Sequence, residues 1–162
     1  MNFGQRGGFT LIELAIVITI SVVISSAVFL NLFNYRASQN LKLTLTEVTA
    51  VIRDSQQRAI SQELGKSWGV RLINPETGDD RYEVFSGPSY SLGVVEKSYG
   101  LSRGVQFGSP FSSSTIDLDF SAVKGTIAEN RIITLIGAGG ERSIGDIILN
   151  NLGLINTRIE KN

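Results

Sequence analysis

The sequence predicts an α+β fold: a long N-terminal α-helix, apolar in its first half and amphipathic in its second, packed on a small, mostly antiparallel β domain. Three observations carry this expectation. An apolar run from Phe9 to Phe33 is interrupted only by Thr10, Glu13, Thr19, Ser21, Ser25, Ser26 and Asn31. No Gly or Pro follows it before Gly65, so nothing breaks a helix at the junction. After Gly65 the hydrophobic period changes from 3.6 to 2.

As a helix rising about 1.5 Å per residue, the apolar run is roughly 37 Å long and exceeds a hydrocarbon core of about 30 Å. Glu13 stands out within it, because a carboxylate near a membrane helix centre costs about 2.5 to 3.5 kcal/mol on insertion scales. Three readings compete. A secretory signal peptide would use the small residues Ser25, Ser26 and Ala27 for cleavage, but its positive region would be Arg6 alone and its apolar region would contain Glu13. A simple signal anchor accounts for the length and leaves Glu13 to snorkel towards the interface from one turn inside. A cut between Gly8 and Phe9 would instead create an α-amine about one helical turn from Glu13, and an amine and a carboxylate in lipid have strong reason to pair.

Beyond Phe33 the polar bridge Asn34 to Asn40 leads into an amphipathic stripe: Leu41, Leu45, Val48, Ile52, Ser55 and Ala59, widened by Val51. Lys42, Glu47, Arg53, Asp54, Gln57 and Arg58 fall off the stripe, and Asp54 with Arg58 forms an i, i+4 pair. The helix is expected from about Thr10 to Leu64, with Gly65 as its stop. Trp68 to Ile73 and Arg81 to Ser86 flank the turn-forming cluster Asn74 to Asp80 and read as a hairpin. Thr115 to Phe120, Arg131 to Ile136, Ser143 to Asn150 and Leu154 to Glu160 read as further strands, the last three forming a meander through turns at Gly137 to Glu141 and Asn151 to Gly153. Gly87 to Ser114 is assigned no motif.

Composition removes several chemistries. With 162 residues and 42% hydrophobic content, the chain suits one small domain plus one membrane-length segment. The absence of Cys and His excludes disulfides, thiol or imidazole catalysis and Cys/His zinc sites. No nucleophile–base pair is evident, so Ser109 to Ser114 reads as a loop and the expectation is a non-enzyme without cofactor. Gly137 to Gly140 lacks the Lys-Ser/Thr ending of a phosphate loop. Asp79-Asp80 lacks the spacing of an EF-hand calcium loop. Lys plus Arg equals Asp plus Glu at 15 each, which disfavours nucleic acid as a partner; Arg158 and Lys161 are the candidate DNA contacts, with Glu160 between them in what reads as a solvated tail.

Gly8, Phe9, Thr10, Leu11, Ile12 and Glu13 spell GFTLIE, which closely resembles the type IV prepilin motif of pilins and secretion-system pseudopilins. The resemblance implies that Gly8 ends a leader removed by prepilin peptidase, that Phe9 becomes the N-methylated first residue, and that Glu13 meets the N-terminal amine of a neighbouring subunit during assembly. Many major pilins carry a kinking proline late in the apolar segment; this chain has none before Pro75, which favours a minor subunit. The run Ala50 to Ser61 resembles the corresponding segment of H-type pseudopilins and FimT-like minor pilins, and Asp146 to Ile155 resembles their ending.

The expected organisation is a leader at 1–8, a membrane and filament-core half at 9–33, an amphipathic half at 34–64 and a globular β domain at 65–162. The implied partners are prepilin peptidase, other pilin or pseudopilin subunits and the cytoplasmic membrane, in a secretion pseudopilus or a pilus. The alternative is a membrane-anchored extracytoplasmic binding module that never polymerises.

Overall fold

The structure, a computed structural model, describes residues 10–137 and 143–161, and for residues 27–34 and 161 the backbone alone. One helix, α1, runs from Leu11 to Ile60 over 50 residues. The Thr10 side chain accepts from the Glu13 backbone N–H at 3.3 Å and caps its first turn. The two predicted helical halves are therefore one element, about 75 Å long.

The end of α1 differs from the sequence expectation. The helix stops at Ile60 rather than Leu64: Ser61 caps it, and Gln62 turns left-handed at φ 52°. A 3-10 turn, Glu63 to Gly65, follows. Tertiary contacts account for the early stop. Arg58 pairs with both Asp54 and Glu63, its guanidinium lies 4.9 Å from the Trp68 ring centroid, and Trp68 Nε1 donates to the Glu63 carbonyl. These contacts fold the chain back before Gly65 can act.

Among the described residues, eight strands form two four-stranded antiparallel sheets. The strands are β1 (Trp68–Asn74), β2 (Arg81–Ser86), β3 (Val94–Gly100), β4 (Val105–Ser109), β5 (Ser114–Phe120), β6 (Arg131–Gly137), β7 (Ser143–Leu149) and β8 (Ile155–Lys161). Their orders are β3-β2-β1-β5 and β4-β6-β7-β8. The predicted hairpin is β1–β2 and the predicted meander is β6–β7–β8. Strands β3 and β4 occupy the stretch that sequence left unassigned. β3 is exposed along nearly its whole length and so lacks alternation, while β4 is short and interrupted by a register shift at Phe107/Ser109. Within Ser109 to Ser114, the first residue closes β4 and the last opens β5. Ala138 to Arg142, which contains most of the expected glycine turn, lies outside the described residues.

Every stripe residue on the second half of α1 is buried: Leu41, Leu45, Val48, Ile52, Ser55 and Ala59. The apolar five join Val70, Leu72, Leu118 and Phe120 from one sheet and Ile133, Leu135, Ile147 and Leu149 from the other in a single core. Gly145 lets Leu45 approach β7, since a Cβ there would lie 3.2 Å from the leucine side chain.

Two polar residues on α1 tie it to distant loops. Gln56 Nε2 donates to the Gly125 and Gly153 carbonyls at 2.8 and 2.7 Å, and Arg53 reaches the Ile155 carbonyl at 3.2 Å. Arg53 lies off the stripe and is exposed, as its spacing predicts, while Gln56 has no place in the pattern, because a lone amide has no periodic signature. Gln56→Ala should lower the unfolding free energy by about 1 to 3 kcal/mol, leaving two partly buried carbonyls without a donor; urea denaturation checks this. Residues from about Asn34 onward should fold alone, with circular dichroism retaining helix from Leu41 to Ile60.

Candidate functional site: the start of the helix

The first half of α1 presents a surface unlike the second. Among the described residues, Leu11 is 87% exposed, Ile12 69%, and Leu14, Ile16, Val17, Ile18, Ile20, Val22, Val23 and Ile24 all exceed half exposure. These residues circle the helix, so no face is hidden. An apolar helix bare on every side is built to meet lipid or other apolar helices.

Its polar residues divide into two kinds. Thr19 donates to the Ala15 carbonyl, Ser21 to Val17, Ser25 to Ser21 and Ser26 to Val23, at 2.7 to 2.8 Å. Each hydroxyl is satisfied by its own helix and enters an apolar phase without needing an outside partner. Glu13 differs. Its N–H is capped, but among the described residues no cation pairs with its carboxylate. It is therefore the described group on this surface that needs an external cation once water is removed.

Gly8 and Phe9, the expected processing residues, lie outside the described residues. Among the described residues no helix is long and apolar enough to cross a membrane. The part of the apolar half whose side chains are described ends at Ser26, short of the roughly 20 residues a span requires. The expected span from Phe9 to Phe33 thus extends beyond it at both ends.

Arg158 is in β8, within the strand expected from Leu154 to Glu160 rather than in a tail; it is solvent-exposed and pairs with Asp146 on β7 at 3.3 Å and with Glu160 at 3.2 Å. Two carboxylates already occupy its guanidinium. Lys161 closes β8 opposite Ser143. Asp80 accepts from the Phe107 N–H at 2.5 Å and ties the β1–β2 turn to β4. No acidic cluster with metal-binding geometry occurs among the described residues.

The densest polar constellation is on the first sheet, on the side facing away from α1. Arg71 pairs with Asp117 and stacks 3.6 Å from the Tyr90 ring centroid. Tyr90 donates to Glu83 at 2.5 Å, and Arg81 and Ser98 reach the same carboxylate. Burial pushes the Glu83 carboxyl up, but the bonds from Tyr90 and Arg81 outweigh it and hold the group below its ordinary value. The network is closed on itself: it fixes the Gly87–Gly93 loop over Phe85 and leaves no buried polar side-chain atom unsatisfied among the described residues.

The fold is thus a helix-on-sheet α+β protein whose helix bares an apolar, singly charged end. Residues 4–29 match the family model described as the prokaryotic N-terminal methylation motif, a type IV pilin-like prepilin signal. No curated protein and no solved structure matches the chain. The motif supports a type IV pilin-family protein, and that family is structural rather than enzymatic.

A carboxyl held below its unfolded value contributes stability that is present above the ordinary carboxylate pKa and lost as pH falls through the folded value. Glu83→Gln should therefore destabilise the protein by about 1 to 3 kcal/mol at neutral pH and weaken the acid dependence of unfolding. Urea midpoints at neutral and acid pH test both parts.

Proposed function

We propose that this chain is a minor pilin or pseudopilin. Prepilin peptidase cuts it after Gly8, Phe9 is N-methylated, and 9–33 anchors it in the cytoplasmic membrane with 65–162 on the extracytoplasmic side. It then joins other subunits, at low copy number, in a type II secretion pseudopilus or a type IV pilus. The carrying observation is that the matched segment, residues 4–29, runs directly into a helix whose described first half is exposed all round.

Glu13 fits this reading chemically. The hydroxyls around it are satisfied internally, while its carboxylate lacks a cation among the described residues. Cleavage at Gly8 would supply an α-amine, and a neighbouring subunit would present it inside the apolar bundle. The H-type or FimT-like subtype rests on Ala50 to Ser61, the segment that carries Arg53 and Gln56 to the far loops.

The mature chain should begin at Phe9 and carry one added methyl group, as read by intact mass and N-terminal sequencing. A start at Val28 would point to simple secretion, and an uncut Met1 to an anchored module. Glu13→Gln should be inserted and processed normally, yet recovery with filament partners should fall at least about tenfold, because one amine is left unpaired in an apolar interface. Wild-type incorporation of that variant would sink the pairing account.

A further inference from the structure

Each sheet ends in two strands with an unpaired side, and three of these four edges carry features that discourage a new strand. β3 pairs with β2 through a register shift at Val84/Phe85 and exposes Lys97. β4 is short and shifted in register. β8 carries Arg158, Glu160 and Lys161. β5 is different: all seven residues hold an unbroken register with β1, from Trp68↔Phe120 to Asn74↔Ser114, and its other side is free among the described residues.

That free side borders a groove. A cleft of about 320 Å³ runs from Thr115 to Asp119 against Ile127, Ala128 and Glu129. A second, of about 390 Å³, shares Asp119, Ile127 and Ala128 with the first and turns across the end of the sheet towards Ser67, Trp68, Gly87 and Pro88. The two meet at Asp119 as one bent trough whose first arm follows the edge, a shape open to an extended occupant with backbone groups of its own to pair.

Charge selects the occupant. Arg71 neutralises Asp117, and Arg131 neutralises Glu129 at 2.5 Å. Asp119, in the middle of the trough, has no ion-pair partner among the described residues. Asp119 is exposed; partial desolvation, then the neighbouring Asp117, raises its carboxyl pKa, and Arg71 nearby lowers it in part. An incoming ammonium or guanidinium could pair with this exposed carboxylate. A second copy pairing β5 to β5 would instead set aspartate against aspartate. With a net charge of +0, the chain has no global field to attract basic peptides at large.

We propose that the free edge of β5 accepts, by strand addition, an extended segment of a different protein with a basic side chain opposite Asp119. This does not rest on processing at Gly8. The test uses the full chain in non-ionic detergent with two capped synthetic peptides, one alternating valine with lysine and the other valine with glutamate. Amide hydrogen exchange should slow at least about tenfold within Ser114–Phe120 when the lysine peptide is added, and stay unchanged with the glutamate peptide. Asp119→Lys should keep the cooperative thermal transition, weaken the lysine peptide about tenfold and favour the glutamate peptide. The proposal fails if neither peptide protects β5, if both protect it equally, if protection falls on another edge, or if Asp119→Lys leaves the preference unchanged.

Discussion

Everything in this fold hangs on the stripe from Leu41 to Ala59. Val48 and Ile52 are fully buried, and the same face of α1 meets β1 and β5 of one sheet and all four strands of the other. Neither four-stranded sheet could bury its inner face without the helix between them, and a helix with one apolar stripe is stable only when that stripe is covered. Burial of side chains of this kind contributes about 1.5 to 3 kcal/mol each, which far exceeds the few tenths from the exposed Asp54–Arg58 pair on the same helix. The glycine at 145 matters for the same reason, while the glycine at 69 serves close packing on the outer face of the first sheet. Where one lies beneath Phe85 and the other beneath Leu45, a Cβ would force backbone and side chain apart.

The helix solves two problems with one element. Its second half is stabilised by tertiary burial, and its first half by hydrogen bonds within its own turns, including those its Ser and Thr side chains make. Only the second half depends on the β domain. The first half can therefore leave water for another apolar environment without disturbing the core. Glu13 lies at the extreme end of this half, where an external amine can reach it.

The sequence was legible wherever a periodic pattern coincided with burial. The stripe residues, the β1–β2 hairpin and the β6–β7–β8 meander were found because apolar and polar residues alternate at the period of the element. β3 escaped notice because it is wet on both sides and has no alternation, and β4 because a bulge breaks its period. The early end of α1 was hidden for another reason: Gln62 and Leu64 adopt positive φ under contacts from Trp68 and Arg58, and no local preference announces that.

By itself, the sequence determined the α+β class, the two-part helix, its buried face and the motif at Gly8, Phe9 and Glu13, since each depends on local residue type and spacing. Only the tertiary structure decided how β1 finds β5 across the chain, how Gln56 gathers two loops and how Arg71, Tyr90 and Glu83 close one network. It also placed Asp119 uncompensated beside a free edge. These are relations between residues far apart in sequence, fixed by mutual packing and charge, and no local pattern encodes them.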